Sequence, residues 1–408
     1  MKKILVWALL LRLFVAPFAF HSDLTTMSIW GTYAREFGLR GYYDWLNFGN
    51  YARPEYPPLA TIIFLLIKYL WQGIFNGLWF LNINIPAFPS NLVTWFDTFG
   101  YMFLLKLPAI LSDLAIGYLI YKITGSKKVS LYYLFNPAVI YLSAVWGQIE
   151  AVVGILALLA VYFVVKKGYL QSTFFVIASL LTKATFLPLM PLIFIQFVKN
   201  KIRLSALLVC LVIDFAVISG IGYLFTDHNF TGWVFKGYTD KFLTAGGGAL
   251  PYINLNAFNF WGVIFGLDRI SDKTIMLGFP VSFWAYIVSV IFLIPVLVKF
   301  IRNKLDIYSA ALLVSFIVFM FMPNMHERYF YPVFVFFPVV LSKFPGLMKT
   351  FYISSAIFLI NLYHWWWVPR VAPMIFLLDN SVTVWILSLV NLAVFIKLYG
   401  SLNSNRQS

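Results

Sequence analysis

Long apolar runs separated by short polar connections recur along the whole chain. An α-helix needs about 20 predominantly apolar residues to cross the hydrocarbon core of a bilayer. The runs therefore predict about 12 to 14 membrane-crossing helices in a single domain over residues 1–408. Residues 57–88 fit either two helices in a tight hairpin or one long helix followed by an interfacial segment. The approximate positions of the helices are 4–20, 57–70, 71–88, 96–122, 130–146, 149–165, 168–186, 187–199, 204–225, 276–299, 305–322, 329–343, 348–367 and 381–398.

Two polar connections, 21–56 and 226–275, are longer than a turn between helices requires. Within the first, apolar residues between Leu24 and Leu39 recur at helical spacing, which predicts a helix lying flat on the membrane surface. In the second, the glycines at 246–248 beside aromatic residues are typical of a mobile lid or of a plain flexible loop. The tryptophans at 365–367 are typical of an interfacial anchor.

The composition agrees with a membrane protein of all-α class, a polytopic transmembrane helix bundle. Of the 408 residues 62% are hydrophobic and 11% are charged, whereas a soluble domain is about 25% charged. The net charge of +15 does not indicate nucleic acid, because the placement of charge in a membrane protein matters more than its sum. The single cysteine, Cys210, lies in an apolar run, which excludes a disulfide framework and a cysteine-based metal site.

The placement of basic residues predicts the orientation. Cytoplasmic loops of membrane proteins carry an excess of Lys and Arg, so we assign the basic clusters and both termini to the cytoplasm. This assignment puts most acidic residues and both long connections on the opposite face, which we interpret as the functional face. The short loops favour a prokaryotic plasma membrane. The basic clusters comprise Lys122, Lys127, Lys128, Lys166, Lys167, Lys199, Lys201, Arg203, Lys299, Arg302, Lys304, Lys343 and Lys349.

Polar residues at the predicted outer helix ends are functional candidates, because polar groups at membrane depth are costly. The stretch 21–23 contains Asp23, a carboxylate that can act as a general base on a hydroxyl group or cap the helix that follows. In the stretch 53–58, Arg53 and Glu55 precede a proline pair that starts a helix. These two side chains can grip a phosphate and a sugar hydroxyl, or form a surface ion pair of little energetic value.

Two further stretches lie on the same predicted face. Residues 146–150 supply an indole, an amide and a carboxylate, groups that bind sugars, although an ordinary turn is the alternative. Lys183 either snorkels to the interface or meets an anionic ligand. The stretch His326–Arg328 places His and Arg together, which suits a phosphate. Its spacing is not that of a zinc motif, so we expect no metal.

Lys106, Asp113 and Asp214 are charged residues that fall within predicted membrane spans. Lys106 and Asp113 are seven residues apart and therefore lie on one helix face. An unpaired charge at this depth is costly, so we expect these residues to pair within the bundle and hold helices together. A proton relay is the alternative.

Together these motifs resemble the GT-C superfamily, integral membrane glycosyltransferases that use polyprenyl- or dolichyl-phosphate sugars. The resemblance extends over about residues 1–345 and is closest to the mannosyl- and glucosyltransferase branches. Glu150 departs from the pattern, because Asp is common at that position. The residues that carry the resemblance are Asp23 after the first helix, Tyr-Pro-Pro at 56–58, Lys-x-Pro-Ala-Ile-Leu-x-Asp-Leu at 106–114, Asn-Pro through Trp-Gly-Gln-x-Glu at 136–150 and His-Glu-Arg-Tyr at 326–329.

The resemblance implies transfer of a mannose- or glucose-type hexose from a polyprenyl-phosphate donor to a lipid-linked or cell-surface glycan on the non-cytoplasmic face. Asp23 takes the role of general base, the anomeric centre is inverted, and neither a cofactor nor a metal is required. The expected ligands of the donor phosphate are Arg53, Lys183, His326 and Arg328. The expected sugar- and acceptor-binding residues are Glu55, Tyr56, Trp146, Gln148, Glu150 and Glu327.

Two other functions fit a multi-span chain of this kind. A carrier or flippase for lipid-linked sugars would need charged residues along a path across the bilayer. A polymerase or ligase of surface glycans would use donors linked through a diphosphate.

Overall fold

A computed structural model describes residues 1–43, 54–226 and 251–404 of the chain. Over these residues the protein is mainly α-helical, and its strands are four of two residues each, which confirms the expected all-α class. The helices are α1 (Lys2–Val15), α2 (Ser22–Phe37), α3 (Pro58–Asn84), α4 (Ser90–Trp95), α5 (Tyr101–Leu105), α6 (Leu107–Thr124), α7 (Lys127–Leu134), α8 (Pro137–Ile140), α9 (Glu150–Val165), α10 (Tyr169–Thr182), α11 (Met190–Lys199), α12 (Leu204–Phe225), α13 (Phe260–Phe265), α14 (Val281–Ile301), α15 (Ile307–Phe321), α16 (Tyr331–Leu341), α17 (Met348–Trp366), α18 (Ala372–Leu378) and α19 (Ser381–Ser404).

Short irregular elements connect these helices. The strands β1 (Asn254–Leu255) and β4 (Met325–His326) pair in parallel, and β2 (Ile275–Met276) pairs with β3 (Phe279–Pro280) in an antiparallel hairpin. The β1–β4 pair joins the segment that follows residue 251 to the connection between α15 and α16. Tight or widened helical turns occur at Ala16–Phe18, Phe96–Gly100, Tyr141–Trp146, Ala184–Leu189, Glu327–Phe330 and Pro345–Leu347.

Within the described residues, five helical segments are long and apolar enough to cross a membrane, and the number is seven if each of two bent pairs forms one span. The chain therefore has the architecture of a multi-pass membrane protein. Other apolar helices, among them α9, α10 and α15, are shorter than the roughly 20 residues of a perpendicular crossing. The five segments are Pro58–Asn84, Ser90–Thr124, Leu204–Phe225, Val281–Ile301 and Ser381–Asn403.

The helix predicted to follow the first span is present as α2, and it turns by 92° from the segment Lys2–Phe18. Residues 57–88 contain the single helix α3, so the tight hairpin is excluded. The chain then returns along α3: the Trp71 indole N–H donates to the Phe96 carbonyl at 3.1 Å. Farther along, the Tyr101 hydroxyl donates to the Phe64 carbonyl at 2.8 Å.

The centre of the bundle is formed by α15 and α16. All 11 residues of α16 are buried, and so are 14 of the 15 in α15. Protein segments cover the apolar surface of α16, which packs against α6, α7, α9, α15 and α17. Because both flanking helices are buried, the connection between α15 and α16 has a fixed position at one end of the bundle.

Two buried charges lie on helix α6 and on the residue immediately before it, and both face neighbouring segments. Asp113 accepts from the Arg12 guanidinium at 3.0 Å, from the Tyr133 hydroxyl at 2.7 Å and from Ser143 at 2.6 Å. Lys106 has no carboxylate partner among the described residues and instead donates to three backbone carbonyls. The expected pairing within the bundle is therefore found for Asp113, with Arg12 as its partner, whereas Asp214 forms no salt bridge with a described residue.

We predict that Arg12→Met lowers the free energy of unfolding by about 3–5 kcal/mol, because it leaves the Asp113 carboxylate buried without its counter-ion. The measurement is thermal unfolding of the protein in detergent. The double variant Arg12→Met/Asp113→Leu removes both charges and should recover most of the loss.

The matched control is Lys343→Met, which breaks the partly exposed pair with Asp306 (3.2 Å) and should change stability little. Equal losses in the single and double variants would contradict the electrostatic explanation.

Candidate functional site

Five segments meet at one end of the bundle and bring together most of the predicted site residues. These segments are the starts of α2, α3 and α9, the end of α10, and the connection between α15 and α16. Each is a helix terminus, where the helix itself leaves backbone groups without partners and polar side chains supply them. The residues that meet, here called the polar cluster, are Asp23, Tyr56, Trp146, Gln148, Glu150, Lys183, His326, Glu327 and Arg328.

The carboxylate of Asp23 faces the cluster and does not cap α2. The cap is His21, whose Nδ1 accepts the backbone N–H of Asp23 at 3.0 Å. Asp23 Oδ2 is left to accept from the Trp146 indole N–H at 3.1 Å and from the Gln148 amide. The stretch 21–23 therefore does cap α2, but through His21 and not through Asp23. The Trp146 and Gln148 donors fix the direction of the Asp23 side chain.

A left-handed glycine brings Gln148 to Asp23. Gly147 ends the widened turn Tyr141–Trp146 with φ 93°, a conformation that costs other residues free energy. A Cβ at this position would lie 2.8 Å from the side chain of Leu24 on α2. The glycine thus permits both the turn and the close approach of α2, and both are needed for the contact between Gln148 and Asp23.

A buried ion pair forms the middle of the cluster. The Lys183 ammonium donates to Glu150 Oε1 and lies 3.4 Å from the Tyr56 hydroxyl, which donates to Gln148 Oε1 at 3.4 Å. Glu150 is the first residue of α9, where the partial positive charge of a helix N-terminus favours a carboxylate. Glu150 Oε2 is buried and has no hydrogen-bond partner among the described residues.

Arg328 completes the cluster on the other side. Its Nη1 donates to Glu327 Oε1 at 3.1 Å, and its Nε lies 4.0 Å from Glu150 Oε1 without a hydrogen bond. His326 Nδ1 lies 3.8 Å from Glu327 Oε2. Three carboxylates and two permanent cations therefore share one small volume, and each cation already faces a carboxylate.

Exposure separates the members of the cluster into two groups. The side chain of Asp23 is 32% exposed and that of Arg328 is 12% exposed. The other members are buried below one-tenth of their surface. A molecule that approaches the cluster therefore reaches Asp23 and Arg328 first, while Gln148, Glu150 and Lys183 hold these two in place.

Trp366 lies beside the polar cluster, whereas the sequence analysis interpreted it only as part of an interfacial anchor. Its ring centroid lies 4.8 Å from that of His21 and 6.0 Å from that of Trp146. Trp146 is fully buried beside His21, with ring centroids 4.4 Å apart, and its indole N–H donates to Asp23. Trp366 is half-buried and packs against His21, two residues before Asp23 in the chain.

The polar cluster as defined above does not include two predicted residues, Arg53 and Glu55. Arg53 lies outside the described residues, as does the glycine run at 246–248. Glu55 is half-buried one residue before Tyr56. Within the described part of the chain, no group of three or more His, Cys, Asp and Glu side chains is arranged to hold a metal ion.

The charges of the cluster shift one another's pKa values. Burial raises the pKa of Asp23, but the interaction with the His21 side chain and the charge of Arg328 outweigh it, so the pKa lies well below its ordinary value. Burial lowers the pKa of Arg328, but the charges of Glu327 and Asp23 outweigh this effect, so the pKa lies well above its ordinary value. The pKa of Glu327 is also lowered, because His326 and Arg328 outweigh its burial.

No family model matches this chain, and no curated protein is significantly similar to it.

We predict that wild-type protein loses thermal stability more steeply than Asp23→Asn as pH falls below about 4. The pKa of Asp23 is lower in the folded state, so its stabilising contribution is full above the unfolded-state pKa. That contribution disappears as pH falls through the folded-state pKa. Unfolding midpoints between pH 3 and 6 measure the difference. Asp379→Asn, at an exposed carboxyl outside the cluster, should follow the wild type; parallel curves for wild type and Asp23→Asn would refute the shift.

Proposed function

We propose that the protein is a GT-C-type glycosyltransferase that transfers a mannose- or glucose-type hexose from a polyprenyl-phosphate donor to a glycan or glycolipid acceptor. The observation that carries the proposal is the exposure of Asp23 and Arg328 within one polar cluster. They are the two most exposed members of the polar cluster, and the charge of Arg328 lowers the pKa of Asp23. One group can take a proton from a hydroxyl, and the other can stabilise a phosphate.

The proposal places the polar cluster on the non-cytoplasmic face and both termini in the cytoplasm. Basic residues at the opposite ends of the same helices support this orientation. Lys166 and Lys167 follow α9, which begins at the cluster, and Lys304 precedes α15, which ends near it. Helices α9, α10 and α15 are shorter than a perpendicular crossing requires. If they are also counted as spans, the number of crossings approaches the 12 to 14 expected of a GT-C-like bundle.

In the proposed reaction a hydroxyl oxygen of the acceptor forms a bond to the anomeric carbon of the donor sugar. The bond from that carbon to the phosphate oxygen breaks, and both of its electrons leave with the phosphate. Asp23 takes the proton of the acceptor hydroxyl. The polyprenyl phosphate gains one negative charge, which Arg328 stabilises. A single displacement inverts the anomeric centre, and a phosphate leaving group needs no general acid.

Donor binding also adjusts the strength of the base. A carboxylate with a depressed pKa is a weak base, and the charge of Arg328 contributes to that depression. A phosphate bound at Arg328 offsets this charge and raises the pKa of Asp23. Asp23 is therefore the strongest base when the donor is bound. As a result, Asp23 deprotonates the acceptor hydroxyl mainly in the enzyme that has already bound its donor.

Buried acceptor atoms of the cluster suit the hydroxyl groups of a sugar. Glu150 Oε2 and Glu327 Oε2 have no hydrogen-bond partner among the described residues, and Arg328 Nε is a donor without one. Unpaired buried polar atoms are costly, and a sugar supplies donors and acceptors in one small molecule. Trp366 adds an apolar surface for a ring face.

The other two functions are less well supported. A carrier needs charged groups free to line a path, but Arg12, Lys106 and Asp113 are fully buried in fixed hydrogen bonds. A diphosphate donor carries more negative charge than a monophosphate donor, yet both fixed cations of the cluster already face carboxylates. A single phosphate suits this charge balance better.

We predict that Asp23→Asn folds normally and lowers the turnover rate by about 10²–10⁴-fold, the contribution typical of a general base. The measurement uses purified protein with a panel of polyprenyl-monophosphate and polyprenyl-diphosphate sugars and follows consumption of each donor. Asp379→Asn is the matched control and should keep full activity. Normal turnover by Asp23→Asn would exclude this role, and consumption of diphosphate donors alone would favour the polymerase or ligase.

We predict that Arg328→Gln lowers kcat/KM for the donor by about 10²-fold or more, because the variant loses a donor aimed at the charge that develops on the phosphate. Arg328→Lys keeps the charge and should lose less. Steady-state kinetics with varied donor measure both variants against Arg302→Gln, an exposed arginine at the opposite end of the bundle. Unchanged donor kinetics in Arg328→Gln would separate this residue from phosphate binding.

A further inference from the structure

The buried ammonium of Lys106 joins the two chain segments that carry the proposed base and its supporting groups. Its Nζ donates to the carbonyls of Ala16 at 2.7 Å and Ala19 at 2.6 Å, which precede Asp23. It also donates to the carbonyl of Val145 at 2.9 Å, the residue before Trp146. One side chain thus contacts both segments within a few residues of the contact between Asp23 and Gln148.

These three carbonyls are groups that helices leave without partners. Ala16 and Ala19 lie at and beyond the end of the first helical segment, and Val145 lies at the end of the widened turn 141–146. The last carbonyls of a helix lack intrahelical donors and carry partial negative charge. An ammonium between two such ends satisfies both at once and attracts them to a common point.

The cost of this lysine indicates that it has a specific role. Lys106 is fully buried, and no carboxylate within the described part of the chain pairs with it. A buried charge is expensive unless its surroundings compensate for it. Lys199, which also donates to a carbonyl (Phe300, 2.6 Å), differs because it is only partly buried and lies away from the cluster.

We propose that Lys106 is a positioning residue, which sets the distance between Asp23 and the Trp146–Gln148 pair by binding the two segments that hold them. The proposal rests on the glycosyltransferase function for its effect on catalysis. Lys106 acts through backbone atoms and forms no hydrogen bond with a side chain of the polar cluster, so its loss should leave donor binding at Arg328 intact.

The test uses the full-length protein in lipid nanodiscs, with the variants Lys106→Ala and Lys106→Gln. The glutamine removes the charge but still offers N–H donors through its side-chain amide. The expected result for Lys106→Ala is a fall in kcat of about 10²-fold, the effect typical of misplacing a reacting group by about 1 Å. The dissociation constant for the polyprenyl-phosphate sugar should change less than about twofold. Lys106→Gln should lie between Lys106→Ala and wild type, and Lys199→Met is the matched control.

A second measurement needs no activity. Cysteines replace Asp23 and Gln148 in a Cys210→Ser background, and a short bis-methanethiosulfonate reagent cross-links them. Cross-linking should be at least about tenfold slower when Lys106→Ala is added and unchanged when Lys199→Met is added. Propylammonium, which replaces the lost side chain, should restore the rate, and propanol should not. If Lys106→Ala does not fold, the comparison is made with Lys106→Gln.

Two outcomes are informative in different ways. An unchanged cross-linking rate in the Lys106 variants would overturn the positioning role whatever the activity. Slower cross-linking in a protein that consumes no sugar donor would support the positioning role and reject the proposed glycosyltransferase function.

Discussion

Charges buried at helix ends must be partnered, and this electrostatic requirement fixes the arrangement of the polar cluster. Lys183 lies against Glu150, and Arg328 lies between Glu150 and Glu327. Removal of one partner leaves the other buried and uncompensated, which costs several kcal/mol. The five segments that carry these side chains are therefore held together as one unit, although they are far apart in the chain.

The same requirement applies deeper in the bundle, at α6 and at Lys106, the residue before it. Asp113 binds Arg12 of α1 and two hydroxyl groups, and Lys106 binds carbonyls at the ends of two neighbouring segments. A charged group in a low-dielectric interior makes strong and directional hydrogen bonds. These contacts hold α1 against the turn before α9, and they thereby help to position Asp23 and Gln148, which follow these two segments.

The charge balance of the cluster constrains what can bind there. Three carboxylates face two permanent cations, so the net charge of the cluster does not attract an anionic ligand. Such a ligand must compete with the carboxylates for the N–H donors of the two cations. Arg328 has a guanidinium edge without a hydrogen bond, whereas the ammonium of Lys183 is engaged by Glu150. Under the proposed function, this difference favours Arg328 as the ligand of the phosphate and Lys183 as a supporting residue, although both were expected to bind phosphate.

The sequence by itself determined the helical class and most of the polar residues at one end of the bundle, because hydropathy and its interruptions are local properties of a chain in a membrane. Asp23, Gln148, Glu150, Lys183 and Arg328 stand out in this way. The tertiary structure decided which of them touch, that α3 is one helix, that Asp113 pairs with Arg12, and that Trp366 and not Trp146 offers an accessible ring. These outcomes depend on which helix ends pack side by side, and packing depends on contacts between residues that are distant in the chain, which no local pattern encodes.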